Sequence, residues 1–374
     1  MIIRNGNVLN GKTGRFEKTD LTIENGRIAA FADGDGEVFD AKGLFVLPGF
    51  IDTHIHGFAG EEFAKADGDF GDAPAVLAKD GVTAFAATVR CMPFDDVLAA
   101  IANAASLVGT KTGGAKVAGI HSEGPFVSQE RRGAMHPPAI DCTVEAVTRM
   151  AEAGHGHLKI MTIAPERENT DTVIPAAVKQ GIACSLGHTD ATYDVARAAV
   201  DAGATRATHV FNAMRPLSHR ETGILGEALT DDRLTCELIA DFIHLDPAAV
   251  KLVVRAKGAE RITLVSDAGM MSGLPDGEYE VGGYTRYVKD GRCIDYQGRI
   301  AGSCFSMLKG AQNLRSLGVS LEDISTMTSK NPAKVLGVDS EMGSIEIGKC
   351  ADLIVCDDAL NIHAVFVDGE LVER

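Results

Sequence analysis

Leu44-Phe45-Val46-Leu47-Pro48-Gly49-Phe50-Ile51-Asp52-Thr53-His54-Ile55-His56-Gly57 is the stretch on which the reading of this chain turns. An apolar run, Leu44 to Ile51, leads straight into two histidines one residue apart. On an extended strand the side chains at i and i+2 project to the same side. Both imidazoles are therefore expected to reach one point just past the strand's C-terminal end. Neutral imidazole is the commonest side-chain ligand for transition metals, so the dyad reads as half of a metal site. A pair of surface histidines is the plainer alternative, and the apolar strand, Asp52 and the flanking Gly57 argue against it.

The same pattern recurs. Lys116–Ile120 is a short apolar run that ends in His121 and Glu123. Gly181–Gly187 ends in His188, Arg206–Thr208 leads into His209 and Asn212, Cys236–Ile243 ends in His244, and Arg261–Ser266 ends in Asp267. One histidine at a strand end is ordinarily a hydrogen-bonded core residue. Five such ends place metal-competent groups repeatedly at one edge of a parallel sheet, which is where a (β/α)8 TIM barrel keeps its chemistry.

Apolar runs centred near Phe50, Phe85, Ala118, Ile160, Cys184, Thr208, Leu238 and Leu264 alternate with helical stretches such as Val173–Gln180, Tyr193–Ala202 and Pro247–Ala256. Eight strand-helix units is the count that a closed parallel barrel needs. Residues 1–47 read as strands and turns, with an Asn25-Gly26 hairpin, and residues 345–374 repeat that character around Asp368-Gly369. The expected architecture is α/β: a barrel over 48–344, with a β insertion at about 277–302, and a small β-sandwich domain built from both chain termini. At 374 residues, with 45% hydrophobic and 24% charged residues, the chain has the length and composition for this division.

A net charge of −16 argues against a nucleic-acid partner. No apolar run approaches a membrane span, and the N-terminus lacks a secretory pattern. The eight cysteines include no Cys-x-x-Cys pair and read as reduced core residues of a cytoplasmic protein.

Taken together, the motifs Pro48–Gly57, His121-Ser122-Glu123-Gly124-Pro125-Phe126, Ser185–Thr192, His209-Val210-Phe211-Asn212-Ala213-Met214, Val265-Ser266-Asp267-Ala268 and Ala301-Gly302-Ser303 give the chain a clear resemblance. It resembles the amidohydrolase superfamily and, more narrowly, its N-acetylglucosamine-6-phosphate deacetylase family, over nearly its whole length. Many binuclear amidohydrolases use a carboxylated lysine at the end of the fourth strand. Here the only lysine of that strand, Lys159, lies near its start, and Glu123 can supply the carboxylate instead. The resemblance assigns Glu123, His188 and His209 to one metal, with His54 and His56 available for a second ion bridged by Glu123. Zinc is the first choice from the ligand type, with iron, manganese or cobalt also compatible, at one or two ions per subunit.

The reaction that the resemblance implies is hydrolysis of the acetamide of N-acetyl-D-glucosamine 6-phosphate to D-glucosamine 6-phosphate and acetate. A metal-held hydroxide would attack the carbonyl, with Asp267 as general base and then acid. His136, in a glycine- and proline-punctuated segment at 128–138 that reads as a mobile lid, would help to hold the developing oxyanion. Asn212, Ala213, Arg220 and His244 are implied as substrate-binding residues around the phosphate. His219, Arg131 and Arg132 are weaker candidates that read as solvated, and His155, His157 and His363 fall outside the constellation. A homodimer is implied, in which Arg220 serves its own site or its neighbour's. The alternatives are a cyclic amidase or deaminase of the same superfamily, a deacetylase for an epimeric N-acetylhexosamine 6-phosphate, and a metal-free interaction protein on the same barrel.

Overall fold

The computed structural model describes residues 1–135, 140–281 and 283–373. At its centre are eight parallel strands: β1 (Phe50–Ile55), β2 (Val82–Val89), β3 (Lys116–Glu123), β4 (Leu158–Ile163), β5 (Ala183–Leu186), β6 (Arg206–Ala207), β7 (Thr235–Leu238) and β8 (Ile262–Leu264). They pair in chain order from β1 to β8. Every residue of β1 and β2 is buried. That is the expected state of a parallel strand covered on both faces, and it explains why these runs are apolar throughout instead of alternating. The expected TIM barrel is the fold observed.

Closure of the barrel happens just beyond the last strand, and it builds the site. The backbone N–H of Asp267 donates to the His54 carbonyl at 2.9 Å, and that of His56 donates to the Ala268 carbonyl at 2.7 Å. Ile55 and Ala268 form a parallel bridge. The hydrogen bonds that join the first strand to the last therefore set the His-x-His dyad and Asp267 side by side. Gly49 permits the tight start of β1, because a Cβ there would lie 2.1 Å from the Thr83 hydroxyl.

The helices form where their caps dictate. Thr192 caps Tyr193–Asp201, and Asp246 caps Pro247–Lys257, whose first residue is a proline that has no donor to satisfy. After β8 the chain makes a four-stranded antiparallel excursion, Gly277–Val281, Tyr284–Lys289, Arg292–Asp295 and Ile300–Ser303. Its return strand rejoins the barrel rim through a bond from the Ser303 N–H to the Asp267 carbonyl, 2.8 Å.

The chain ends meet in one eight-stranded sheet. Phe45–Pro48 lies between Ile2–Asn10 and Leu353–Cys356, and Arg15–Glu24, Arg27–Ala30, Val38–Asp40, Ile362–Val367 and Glu370–Leu371 complete it. Both expected hairpins form. Asn25, Gly26, Asp368 and Gly369 all take the positive φ that a two-residue hairpin turn demands. The period-2 pattern divides the sheet's side chains between two cores. Val46, Leu353 and Val355 pack with Ile23, Ile28 and Phe366, while Leu47, Ile354 and Cys356 join the barrel's apolar core. No described helix is long and apolar enough to cross a membrane.

Because Ile354 belongs to the barrel core, Ile354→Ala should cost about 2–5 kcal/mol, the usual price of a large-to-small change in a packed interior. Urea unfolding followed by far-ultraviolet circular dichroism should show one transition moved to lower denaturant. An unchanged barrel transition would mean that the terminal sheet is not packed into it.

Candidate metal centre and active site

Glu123, the last residue of β3, is buried, and four imidazoles surround it. Its Oε1 lies 3.0 Å from His188 Nε2, 3.0 Å from His209 Nε2 and 3.3 Å from His54 Nε2, while His56 Nε2 is 3.2 Å from Oε2. The two nitrogens of His188 and His209 are themselves 3.1 Å apart. Asp267 Oδ1 stands 3.5 Å from His54 Nε2 and 3.4 Å from His56 Nε2. Two triads of ligand atoms, His54–His56–Glu123 and Glu123–His188–His209, are each close enough to hold one ion.

Whether these residues suit a metal is decided by where their protons are. His188 Nδ1 donates to the Arg131 carbonyl at 2.9 Å, and His54 Nδ1 donates to Glu237 Oε2 at 3.0 Å. In its neutral form either ring carries one N–H, and with Nδ1 donating, the Nε2 atom that faces Glu123 would then present a lone pair. Lone pairs directed at a carboxylate oxygen repel it unless a cation stands between them. His54 Nε2 is buried and has no hydrogen-bond partner. Burial opposes charging His54, but the negative charges of Glu123 and Asp267, with the bond to Glu237, outweigh it and raise its pKa well above the ordinary value. His56 is raised to about 9 against the same burial, by its bonds to Asp267 and Glu123. The carboxylates thus draw protons onto His54 and His56, and a divalent ion can take over that role by displacing those protons. The donor set fits the group.

A third grouping, His54–His121–Glu237, lies deeper in the barrel and is already satisfied. His121 bonds the Thr53 carbonyl at 3.1 Å and the Thr162 hydroxyl at 2.8 Å. Burial, reinforced by the charge of His54, pushes its pKa down to about 3, so it is neutral. Glu237 is the site residue that sequence reading missed. Buried on β7, it accepts from His54 through one oxygen and from Arg206 Nη2, 3.1 Å away, through the other. It orients the dyad from beneath, the carboxylate–histidine arrangement that fixes a metal ligand's tautomer. Its signal was faint: one carboxylate at an inward position of an apolar strand.

Several site residues sit in strained backbone. His188, His209, Phe211, Ala213, Phe242 and Asp267 have φ of 46°, 25°, 78°, 50°, 65° and 51°. Non-glycine residues at positive φ are uncommon and concentrate where function requires them.

The centre opens into a cavity of about 220 Å³ that Asn212, Ala213, His244 and Gly133–Met135 also line. His244 is not at a strand end, as its sequence position implied. β7 stops at Leu238, and Asp241 then accepts the backbone N–H groups of Ile243 and His244 in a tight turn. Asp241 also bonds His244 Nδ1 at 2.8 Å. Burial disfavours the His244 imidazolium, yet this bond and the Asp241 charge prevail and raise its pKa. Arg220, by contrast, is exposed and does not line the cavity. His136 lies outside the described residues, as does part of the expected lid.

An eight-stranded barrel carrying four histidines, a glutamate and an aspartate at its C-terminal rim defines a metal-dependent hydrolase class. The chain belongs to the amidohydrolase family, whose model matches residues 45–372. It is similar to the N-acetylglucosamine-6-phosphate deacetylase of Lysinibacillus sphaericus, 35% identical over 99% of this chain and 97% of the relative. It is also similar to the N-acetylgalactosamine-6-phosphate deacetylase of Escherichia coli O157:H7, 33% identical over 96% of each. Among solved structures, a variant of N-acetyl-D-glucosamine-6-phosphate deacetylase from Mycobacterium smegmatis, in complex with N-acetyl-D-glucosamine-6-phosphate, superposes with a TM-score of 0.90. It is 33% identical, with 100% of this chain and 99% of that one covered.

Glu123→Ala should abolish most bound metal, because both triads lose their shared anion, whereas replacing His54 and His56 together should empty only the triad that contains them. Metal analysis of the purified variants reads this directly. Acidification should release metal from the wild type, since protons compete for the same imidazole nitrogens.

Proposed function

We propose that this enzyme hydrolyses the acetamide of N-acetyl-D-glucosamine 6-phosphate to D-glucosamine 6-phosphate and acetate. The observation that carries the reading is the convergence of four imidazoles and Asp267 on the buried Glu123 carboxylate, at the floor of a cavity lined further out by Asn212, Ala213 and His244. Glu123, His188 and His209 would hold one divalent ion, and His54 and His56, with Glu123, would hold another. Zinc suits this nitrogen-and-oxygen set. When bound, such an ion polarises a carbonyl and lowers the pKa of water from about 15.7 to roughly 7.

The chain's own residues manage the protons and the orientation. Burial would raise the Asp267 carboxyl, but the charge of His54 and the bond to His56 outweigh it and hold it below the usual carboxylate range. Asp267 is therefore ionised and ready to accept a proton at Oδ1 as water adds to the carbonyl carbon. It then returns that proton to the sugar nitrogen, so that the C–N bond breaks with a neutral amine leaving. Glu237 and Arg206 keep the His54 ring fixed from below throughout.

His244, held toward its charged form by Asp241, and the Asn212–Ala213 turn form the phosphate end. Arg220, exposed on its own chain, would complete that end for the neighbouring subunit of a homodimer. Its guanidinium can form two parallel bonds to a phosphate. The eight cysteines are free and seven of them are buried, which suits a cytoplasmic enzyme.

Asp267→Asn should lower kcat by roughly 10²–10⁴-fold, the usual worth of general acid–base catalysis, with KM little changed. In the wild type, kcat/KM for unphosphorylated N-acetylglucosamine should fall on the order of 10²-fold or more below that for the 6-phosphate, since charge-assisted bonds contribute about 1.5–3 kcal/mol each. Equal rates on the two sugars would reject the sugar-phosphate reading. The galactosamine epimer, run alongside, reports the preference at C4.

Mixing Arg220→Ala subunits with Asp267→Asn subunits tests delivery across the dimer. If Arg220 serves its neighbour, mixed dimers contain one intact site and activity returns. If it serves its own subunit, no mixed dimer has an intact site and activity stays low.

A further inference from the structure

Arg131 reads as a solvated surface residue in the sequence, yet in the structure both its backbone and its side chain are engaged. Its carbonyl accepts the Nδ1–H of His188 at 2.9 Å. Its Nε donates to Asp190 Oδ1 at 2.6 Å. Asp190 stands two residues beyond His188 and is gripped from the other side, with Arg215 Nη2 at 2.8 Å from Oδ2 and Arg215 Nε at 2.7 Å from the Asp190 carbonyl. Glu166 holds the same turn through the Thr189 hydroxyl and the Asp190 N–H. The Ser128 N–H in turn donates to the His188 carbonyl at 2.9 Å.

Residues 128–131 are thus laid along His188–Asp190 and bonded to them at three points, and two residues further on Gly133, Ala134 and Met135 form a wall of the cavity. His188 needs such support, because its own φ of 46° is not one that a histidine adopts freely. Any residue at position 131 offers a carbonyl. What Arg131 adds is a guanidinium that ties that carbonyl's position to the turn carrying the metal ligand.

We propose that Arg131, through its ion pair with Asp190, is a positioning residue for His188. In this arrangement the Arg131 carbonyl fixes the tautomer that leaves His188 Nε2 free for the ion, and the same ion pair holds the cavity wall at 133–135. Affinity for the metal and order of the 128–135 segment are then properties of one latch. The inference rests on the reading of Glu123, His188 and His209 as a metal site.

The test measures zinc affinity, by competition with a chromophoric chelator, for wild type, Arg131→Ala, Arg131→Lys, Asp190→Asn and Arg132→Ala. Hydrogen exchange of segment 128–135 is followed with and without zinc. Loss of an outer-shell partner typically lowers metal affinity about 10–100-fold, and a drop in that range is expected for Arg131→Ala and Asp190→Asn. Arg131→Lys should recover part of it, by keeping the charge without the fork, and the neighbouring Arg132→Ala should change nothing. Zinc should protect segment 128–135 from exchange in the wild type and much less in Arg131→Ala, with KM raised more than kcat is lowered. Wild-type zinc affinity and protection in both Arg131→Ala and Asp190→Asn would overturn the latch while leaving the metal site intact. Failure of the wild type itself to bind zinc would overturn the metal reading on which the latch depends.

Discussion

A buried carboxylate oxygen facing three imidazole nitrogens at 3.0–3.3 Å is the constraint around which this molecule is arranged. Two of those nitrogens are left with lone pairs by the bonds their rings make elsewhere. With neutral rings such a cluster repels itself, and positive charge among the ligands, from protons or a metal ion, relieves the repulsion. The barrel is organised to hold the groups together regardless. Closure through His54, His56, Asp267 and Ala268 fixes one half of the site, and the ion-paired column Arg206–Glu237–His54 supports it from the interior. A buried charge is tolerated when it is paired and hydrogen-bonded, and Glu237 meets this condition through its bonds to Arg206 and His54.

Holding the groups together also requires backbone that the chain would not otherwise adopt. His188, His209 and Asp267 each sit at positive φ at the end of, or just beyond, their strands. Strain of this kind costs about 1–3 kcal/mol per residue and persists only where the surroundings over-determine it. Here the surroundings are the Arg131–Asp190–Arg215 group, the Asp267–Ser303 backbone bond and the apolar barrel core. The stability that the core provides is partly spent at the rim, so the tightest demands on the fold are made by the residues that carry the chemistry.

Much of this was legible beforehand, for identifiable reasons. The His-x-His dyad was readable because strand periodicity alone puts both rings on one side. The other proposed ligands could be picked out because a parallel barrel gathers polar groups at its strand ends. The hairpins at Asn25-Gly26 and Asp368-Gly369 were readable because few other dipeptides tolerate positive φ twice in succession. Glu237 was missed because its role depends on the contact that the closed barrel creates between β7 and His54 on β1, which no local pattern encodes. Arg131 was missed for a related reason: a loop arginine meets its partner only after residues 59 positions apart have been brought together. His244 was expected at a strand end and lies in a turn instead, because Asp241 captures the two backbone N–H groups that a continued strand would have used.

The strand Leu353–Cys356 serves two cores at once, sending Leu353 and Val355 into the terminal sheet and Ile354 and Cys356 into the barrel. Its neighbour Phe45–Pro48 runs directly into the strand that carries the dyad. In a ribosome-bound chain the proposed metal ligands emerge before that strand does, so the barrel strands are made while part of their apolar core is still uncovered. The apolar surface that this strand covers is then exposed while the proposed site residues have already been made. Shortening the chain by its last three strands would extend that interval indefinitely.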